Sequence, residues 1–371
     1  MSILDKLRKA STIKEADVLS DSKFFNKKDM IQTSIPMLNV ALSGSLDGGI
    51  TPGLTLWCGP SKHFKSFFCL LEVKAYLDKY PEAICLFYDS EFGAGKKYFE
   101  TIGIDTTRVI HSPITDVEQF KFDVMQQLEV ISRGDKVIIF VDSVGNLASK
   151  KEVDDAKDGK SVSDMSRAKQ IKSVFRMITP HLNIKDIPMV VVNHTYQTQE
   201  MYSKAVVSGG TGIYYSADSI FIIGRQQEKD GTEVTGYNFI INVEKSRHVR
   251  EKSKIPIEVR FEGGISTWSG LLDVALDSGH ILKSGSWYQM VDFDTGEISD
   301  KKIRGGDIEK SGFYKRLIKD SRFKEFIEKK YMLSNETMIT DEEIDDFIDD
   351  YCLLGGMAVR DLHSIYKKDL I

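Results

Sequence analysis

The segment Gly59-Pro60-Ser61-Lys62-His63-Phe64-Lys65-Ser66 constrains this chain more than any other eight residues in it. It lies between the apolar run Leu54-Thr-Leu-Trp-Cys58 and an apolar, helix-compatible stretch from Phe67 to Tyr76. A strand that ends in a loop of free backbone N–H groups and then opens a helix makes an anion site, because the amides and the helix dipole point at the same ligand. The spacing follows Gly-x-x-x-x-Gly-Lys-Ser/Thr, in which Lys65 reaches β- and γ-phosphates and the Ser66 hydroxyl ligates Mg²⁺. One position departs from it. Phe64 stands where the second glycine belongs, and glycine is usual there because it costs nothing at φ > 0. The competing reading is an ordinary Gly59-Pro60 turn followed by a solvated lysine.

Composition narrows the class. A chain of 371 residues that is 41% apolar and 28% charged reads as a soluble globular protein of two or three domains. Its apolar runs stop short of the ~18 residues a membrane span needs. Met1 to Thr12, with Asp5, Lys6, Arg8 and Lys9, is too charged for a signal peptide. The expectation is a cytoplasmic protein with no membrane partner. Cys58, Cys69, Cys85 and Cys352 form no C-x-x-C pair and the seven histidines no H-E-x-x-H, which favours reduced thiols and no protein-built metal centre. A net charge of −5 confines any nucleic-acid contact to particular loops or one face.

Short apolar runs then alternate with helical patterns. Ala83–Tyr88, Arg108–His111, Lys136–Val141 and Pro188–Asn193 are near-continuous hydrophobic runs, the mark of parallel strands buried on both faces. From Val117 to Ile131, Phe120, Val124, Leu128 and Ile131 share one helical face. The order predicts an α/β fold with a mostly parallel twisted sheet and helices on both faces. After Ala217, the runs 219–223, 237–243 and 256–261, with an Asp230-Gly231 turn signal, predict an antiparallel extension of that sheet. A boundary is expected near Gly264 to Gly270, followed by a charged helical tail.

The second half of a nucleotide-hydrolysing site is legible too. Asp142 ends an apolar strand, where open α/β sheets bind ligands, and can hold Mg²⁺ through a water. Glu91, in Tyr88-Asp-Ser-Glu-Phe-Gly93, ends another strand and is a candidate general base; the bland alternative is a helix-capping carboxylate. Asn193-His194 closes the next strand, and His194 there is a candidate γ-phosphate sensor or a satisfied structural histidine. Thr195 to Gly212 follows without strong periodicity and carries Tyr196, Gln197, Lys204, Gly209 and Gly210. Aromatic, polar and basic residues on a glycine-hinged loop suit single-stranded nucleic acid. Lys150 to Asp164 is either a second such loop or a solvated one. Lys169 and Arg176, seven apart on the next helix, share a face.

The ordered set Gly59–Ser66, Tyr88–Gly93, Phe140–Leu147, Asn193-His194, Ser208–Gly212 and Val243–Arg247 resembles the RecA recombinase family, and its T-even-type phage members most. The resemblance runs over residues 1–300. It implies a RecA-like ATPase core with an N-terminal polymerisation arm and a small C-terminal domain, divided as 1–30, 31–266 and 267–371. It implies an ATP- and Mg²⁺-dependent filament on single-stranded DNA that pairs with homologous double-stranded DNA and exchanges strands, in recombination, repair and replication. By it, Gly59 to Ser66 and Tyr98 hold nucleotide, Glu91 activates water, Asp142 supports the metal, and Lys245 and Arg247 reach the neighbouring subunit's ATP. His194 replaces the glutamine of bacterial members. Copies of the chain itself, a single-strand-binding protein and a loader are the further partners implied, in a phage host's cytoplasm.

The ends say less. Phe24-Phe25 belongs to the arm-like first thirty residues, which a head-to-tail filament contact requires. Residues 301–330 hold 11 Lys or Arg against 5 Asp or Glu, either a duplex-capturing stretch or a solvated face. Thr340 to Glu343 reads as a capping box before an acidic helix with an Ile344, Phe347, Ile348 and Tyr351 stripe. A hexameric helicase would need an added N-terminal assembly domain, and a non-hydrolysing paralogue would lack a base such as Glu91.

Overall fold

The computed structural model describes residues 2–13, 16–22, 30–159, 166–198 and 205–333. Helices α1 (Ile3–Ala10) and α2 (Pro36–Ser43) come first, followed by strand β1 (Gly53–Cys58) and helix α3 (Lys65–Lys79). Next are β2 (Ile84–Asp89), α4 (Lys96–Ile102), β3 (Val109–Pro113), α5 (Val117–Val130), β4 (Val137–Asp142), α6 (Lys150–Lys157), α7 (Ser166–Lys185) and β5 (Pro188–Asn193). A hairpin, β6 (Thr195–Gln197) and β7 (Ala205–Val207), leads to α8 (Thr211–Ser216), β8 (Ser219–Asp230), β9 (Glu233–Lys245), β10 (Lys254–Arg260) and β11 (Gly264–Ile265). Last are α9 (Leu271–Asp277), β12 (Ile281–Ser284), β13 (Trp287–Val291), β14 (Ile298–Ile303), α10 (Gly305–Ile308), α11 (Phe313–Leu317) and α12 (Ser321–Tyr331).

Nine strands make one sheet in the order β11-β10-β9-β8-β1-β5-β4-β2-β3. The central strands are apolar throughout because both faces are covered. Trp57, Val190, Val192, Phe140 and Phe87 pack toward α2 and α3 on one side. Leu54, Leu56, Val141, Met189 and Val191 pack toward Phe120, Val124 and Leu128 of α5 and Phe175 of α7 on the other. Each such fully buried side chain contributes roughly 1.5–3 kcal/mol. The register sets Cys58 beside Asn193 and Asp89 beside Asp142, so the residues that leave β1, β5, β4 and β2 converge at one edge of the sheet.

Four expectations change. The run at Arg108–His111 forms β3, but as the outermost strand it is only half covered, with Ile110 52% exposed. Ser219 to Ile223 begins β8, which pairs parallel with β1 and antiparallel with β9, so the switch of direction comes one strand later than expected. Lys150 to Lys157 is helix α6, capped by the Ser149 side chain, and not a loop. A three-stranded antiparallel sheet, β12-β13-β14, precedes the helical tail. Its inner residues Ile281, Tyr288, Met290 and Ile303 join the same core as α2 and α3. Lys160, Phe24, Phe25 and the Thr340–Tyr351 helix pattern lie outside the described residues. Residues 1–333 form one compact unit.

Candidate nucleotide site and nucleic-acid surface

A cleft of about 610 Å³ opens at the converging strand ends, lined by Ser61 to Phe67 and by Glu91, Tyr98, Asp142, His194, Tyr237 and Phe239 among others. Gly59 and Pro60 stand just behind it. Gly59 has φ +154° where β1 turns into the loop beside Ile223, and the Pro60 carbonyl accepts a hydrogen bond from Lys65 Nζ at 2.8 Å. Lys65 opens α3 and is buried, and burial pulls its pKa below the usual lysine range against the pull of the Glu91 and Asp142 carboxylates. His63 Nδ1 lies 2.9 Å from the Ser61 carbonyl oxygen within the same loop.

Phe64 has φ 61° and ψ 12°, the left-handed conformation for which glycine is usual. A non-glycine residue there costs about 1–2 kcal/mol. The ring offsets it: it stacks on Phe239 at 4.7 Å, lies 4.9 Å from Phe67 and meets Phe68 edge-on at 6.4 Å. Such pairs are worth about 0.5–1.5 kcal/mol each. Phe64 therefore keeps the glycine-like backbone and joins an aromatic wall completed by Tyr98, Tyr237 and Phe261.

Asp142 ends β4 with its carboxylate buried, and burial pushes its pKa up to about 6 while the Ser66 hydroxyl, hydrogen-bonding to it, pulls it down. One carboxylate oxygen, Oδ1, is buried with no hydrogen-bond partner. An orphaned carboxylate oxygen beside a hydroxyl at the mouth of a phosphate loop is the donor set that Mg²⁺ takes, so these residues fit the metal. Glu91 is no helix cap. No helix opens there, and Asp89 holds the turn, accepting from the backbone N–H groups of Glu91 and Phe92 at 3.1 and 2.7 Å. The Glu91 carboxylate instead faces His194, with Oε1 2.8 Å from Nε2. Sequence reasoning missed two further partners of that oxygen, Ser143 at 2.6 Å and Asn146 at 3.1 Å. Ser143 follows Asp142 directly and Asn146 four residues on, and that nearness was the available signal.

His194 also begins the hairpin. Its carbonyl accepts from the Ser208 N–H at 2.9 Å, and Asn193 Nδ2 donates to the Ser208 carbonyl at 2.8 Å, so the sheet edge closes the hairpin's base. The unstructured loop expected at Thr195 to Gly212 is therefore a hairpin followed by helix α8. Its strands are only three residues long, too short to show a period. Tyr196 is 56% exposed on it, Gln197 pairs with Ala205, and Lys204 lies outside the described residues. Gly209 and Gly210, at φ +94° and +77°, turn the chain into α8 against Ile171 and Ala168 of α7. Lys169 and Arg176 are exposed on that helix.

Lys245 and Arg247 do not line this chain's cleft. Lys245 Nζ donates to the carbonyls of Tyr214, Tyr215 and Ala217 at the end of α8, at 3.1, 3.3 and 2.7 Å. Arg247 pairs with Asp218 at 2.6 Å.

Two family patterns match the chain: one described as the RecA N-terminal domain over residues 19–266, and one described as the C-terminal domain of the bacteriophage T4 recombination and repair protein over residues 268–327. The chain belongs to the RecA family. The "Recombination and repair protein" of Enterobacteria phage T4 is 50% identical over 352 residues, which cover 92% of this chain and 90% of that protein. RecA proteins are more distant: that of Cutibacterium acnes is 26% identical over 73% of this chain and 78% of its own length. That of Streptomyces rimosus is 27% identical over 70% and 68%. Membership in the RecA family makes this chain a relative of recombination and repair proteins with nucleotide-binding cores. Among the described residues no helix is long and apolar enough to cross a membrane.

Proposed function

We propose that this RecA-family chain is a DNA-dependent ATPase that polymerises on single-stranded DNA, pairs it with homologous duplex and exchanges strands. One observation carries the reading: His194 lines the cleft with Lys65, Asp142 and Glu91, and together with Asn193 it locks the base of the Tyr196 hairpin. A single strand end thus adjoins both the cleft and the hairpin.

In this mechanism the loop amides and Lys65 bind the phosphates, and the aromatic wall from Phe64 to Tyr98 takes the base. Ser66 and Asp142 hold Mg²⁺, which when bound neutralises charge on the phosphate oxygens. Glu91 accepts the proton of the attacking water. His194 contacts the γ-phosphate and passes its presence or loss to the hairpin. Single-stranded DNA lies over Tyr196, Gln197, Lys204, Gly209 and Gly210 and the Lys169/Arg176 face of α7, by stacking and phosphate contact without base readout.

Assembly follows the same logic. Lys245, at the end of β9, and Arg247 just after it reach a neighbouring copy's nucleotide. Residues 1–30 dock on the next subunit, 31–266 form the motor and 267–371 the C-terminal domain. Helix α1 supports the docking role, since Ile3, Leu4 and Leu7 are 70%, 55% and 66% exposed. A single-strand-binding protein and a loader act with it in the host cytoplasm.

The test is ATP turnover with and without single-stranded DNA, together with electron microscopy for filaments. DNA-stimulated turnover with filaments is expected; turnover indifferent to DNA and no filaments would end the reading. His194→Ala should retain nucleotide binding and lose the gain in DNA affinity that a non-hydrolysable ATP analogue gives.

A further inference from the structure

We propose that, before nucleotide binds, Glu91 is held in reserve by a cage of Ser143, Asn146 and His194, and that the γ-phosphate opens the cage by drawing His194 away. The inference rests on the ATPase reading above and adds to it a device that restrains the base.

Three donors converge on one oxygen. Glu91 Oε1 lies 2.6 Å from Ser143 Oγ, 2.8 Å from His194 Nε2 and 3.1 Å from Asn146 Nδ2. An ionised carboxylate only accepts, so Nε2 carries the proton in this contact. Each donor stabilises the anion, and a stabilised anion is a weaker base. Drawing His194 away removes one of the three donors and so raises the basicity of the carboxylate.

Gly145 is what lets the cage close. A Cβ added there would lie 2.3 Å from His194 Cδ2 and 3.1 Å from Cγ. Gly145 is absent from the positive-φ glycines, so backbone freedom does not explain it. The missing side chain is the space in which the imidazole reaches Glu91.

The cage is tied to both surfaces proposed for DNA. On one side His194 and Asn193 hold Ser208 at the hairpin base. On the other, Arg167 of α7 donates to the carbonyls of Val144 at 3.2 Å, Gly145 at 2.6 Å and Leu147 at 2.6 Å. The loop that carries Gly145 and Asn146 is therefore pinned by the helix that presents Lys169 and Arg176. DNA that shifts either element shifts the cage, which gives DNA a physical route to the base. In this arrangement Asn146 and Gly145 are positioning residues.

Two measurements on the full chain test this. Asn146→Ala removes an exposed donor without touching the core, and Gly145→Ala displaces the imidazole. Each should raise DNA-free ATP turnover and lower the ratio of DNA-stimulated to DNA-free turnover, by about fivefold, the factor one net hydrogen bond represents. Equal losses with and without DNA would show that the cage positions Glu91 for attack, and would overturn the proposal; so would unchanged turnover in both variants. The second measurement needs no variant that must fold. In the wild-type chain the ring ¹⁵N resonances of His194 should shift when a non-hydrolysable ATP analogue binds with Mg²⁺. A titration with a fluorescent analogue establishes occupancy separately. Bound analogue with an unmoved His194 ring overturns the cage alone, whereas an analogue that fails to bind overturns the nucleotide reading and the cage with it.

Discussion

At the phosphate end of the cleft Lys65 and Asp142 are 6% and 4% exposed, set on strands and a helix buried on both sides, whereas the hairpin presents Tyr196 56% exposed. Lys169 and Arg176 likewise stand clear of the core on α7. The first region is shaped by packing, so its charges are desolvated, their pKa values move, and each group has one place to be. The second is shaped by exposure, so its residues meet a ligand as charges and ring faces in water. Substitutions at the two ends should therefore fail in different ways: as lost binding, chemistry or stability at the first, and as altered salt dependence at the second.

The largest effect belongs to Lys65→Ala. It removes the only cation in the phosphate loop that is both buried and aimed back along the loop, at the Pro60 carbonyl. ATP binding in a fluorescent-nucleotide titration should be lost; wild-type affinity would mean the loop has been misread. Next is Glu91→Gln, which keeps size and shape and removes the base. Nucleotide should still bind while hydrolysis falls by ~10²-fold or more, and DNA filaments should persist. Retained turnover would move the base elsewhere.

A third effect is on stability and sits deeper behind the same loop. Glu72 of α3 is fully buried; Trp57 Nε1 donates to its Oε1 at 2.6 Å, and its Oε2 is buried without a partner. Burial pushes its pKa up from 4.5 to about 8. Between those values the native chain holds a proton that the unfolded chain has released, so stability falls as pH rises through the window. Glu72→Gln should match wild type near the acid end. Near the upper end it should exceed it by on the order of 4 kcal/mol in denaturant melts. Parallel stability curves would show that Glu72 is ionised in the fold.

Phe64 gives a smaller effect with a sharper sign. Phe64→Ala loses the ring contacts with Phe239, Phe67 and Phe68 and keeps the left-handed backbone. It should be destabilised by about 2 kcal/mol. Phe64→Gly loses the same contacts but relieves the backbone, and should recover about 1 kcal/mol of that. If alanine is the more stable of the two, φ at position 64 is not strained.

The phosphate end was the more legible of the two in the sequence. Parallel strands buried on both faces announce themselves as apolar runs, and Lys65, read from the loop spacing, and Glu91, Asp142 and His194, read from strand ends, line one cleft. Their partners were not legible. Asn146 acts through a 3.1 Å contact with Glu91 and Gly145 through the space its missing side chain leaves for His194, partners some fifty positions away that periodicity does not encode. Glu72 drew no reading, because nothing in the sequence pairs it with the indole of Trp57 on the neighbouring strand. The hairpin went unrecognised because three-residue strands carry no measurable alternation. Phe64 was noticed as an exception, and its compensation by Phe239, 175 positions on, came only with the fold.

The smallest effect is the most direct test of the exposed region. Arg176 lies seven residues from Lys169 on α7 and is exposed, while Val174, Phe175 and Ile178 around it are buried, so truncating it removes charge without disturbing packing. A phosphate contact releases about one counterion and carries no base information. Arg176→Ala should then weaken binding to every single-stranded sequence alike, and the slope of log affinity against log salt should shrink by about 0.7. Nucleotide affinity should stay at the wild-type value, since Arg176 does not line the cleft. A loss confined to some sequences would make Arg176 a base contact, and an unchanged slope would take it out of the DNA surface. Either result would leave the phosphate end intact, because the two regions are joined through Asn193, His194 and Arg167 and not through the exposed face of α7.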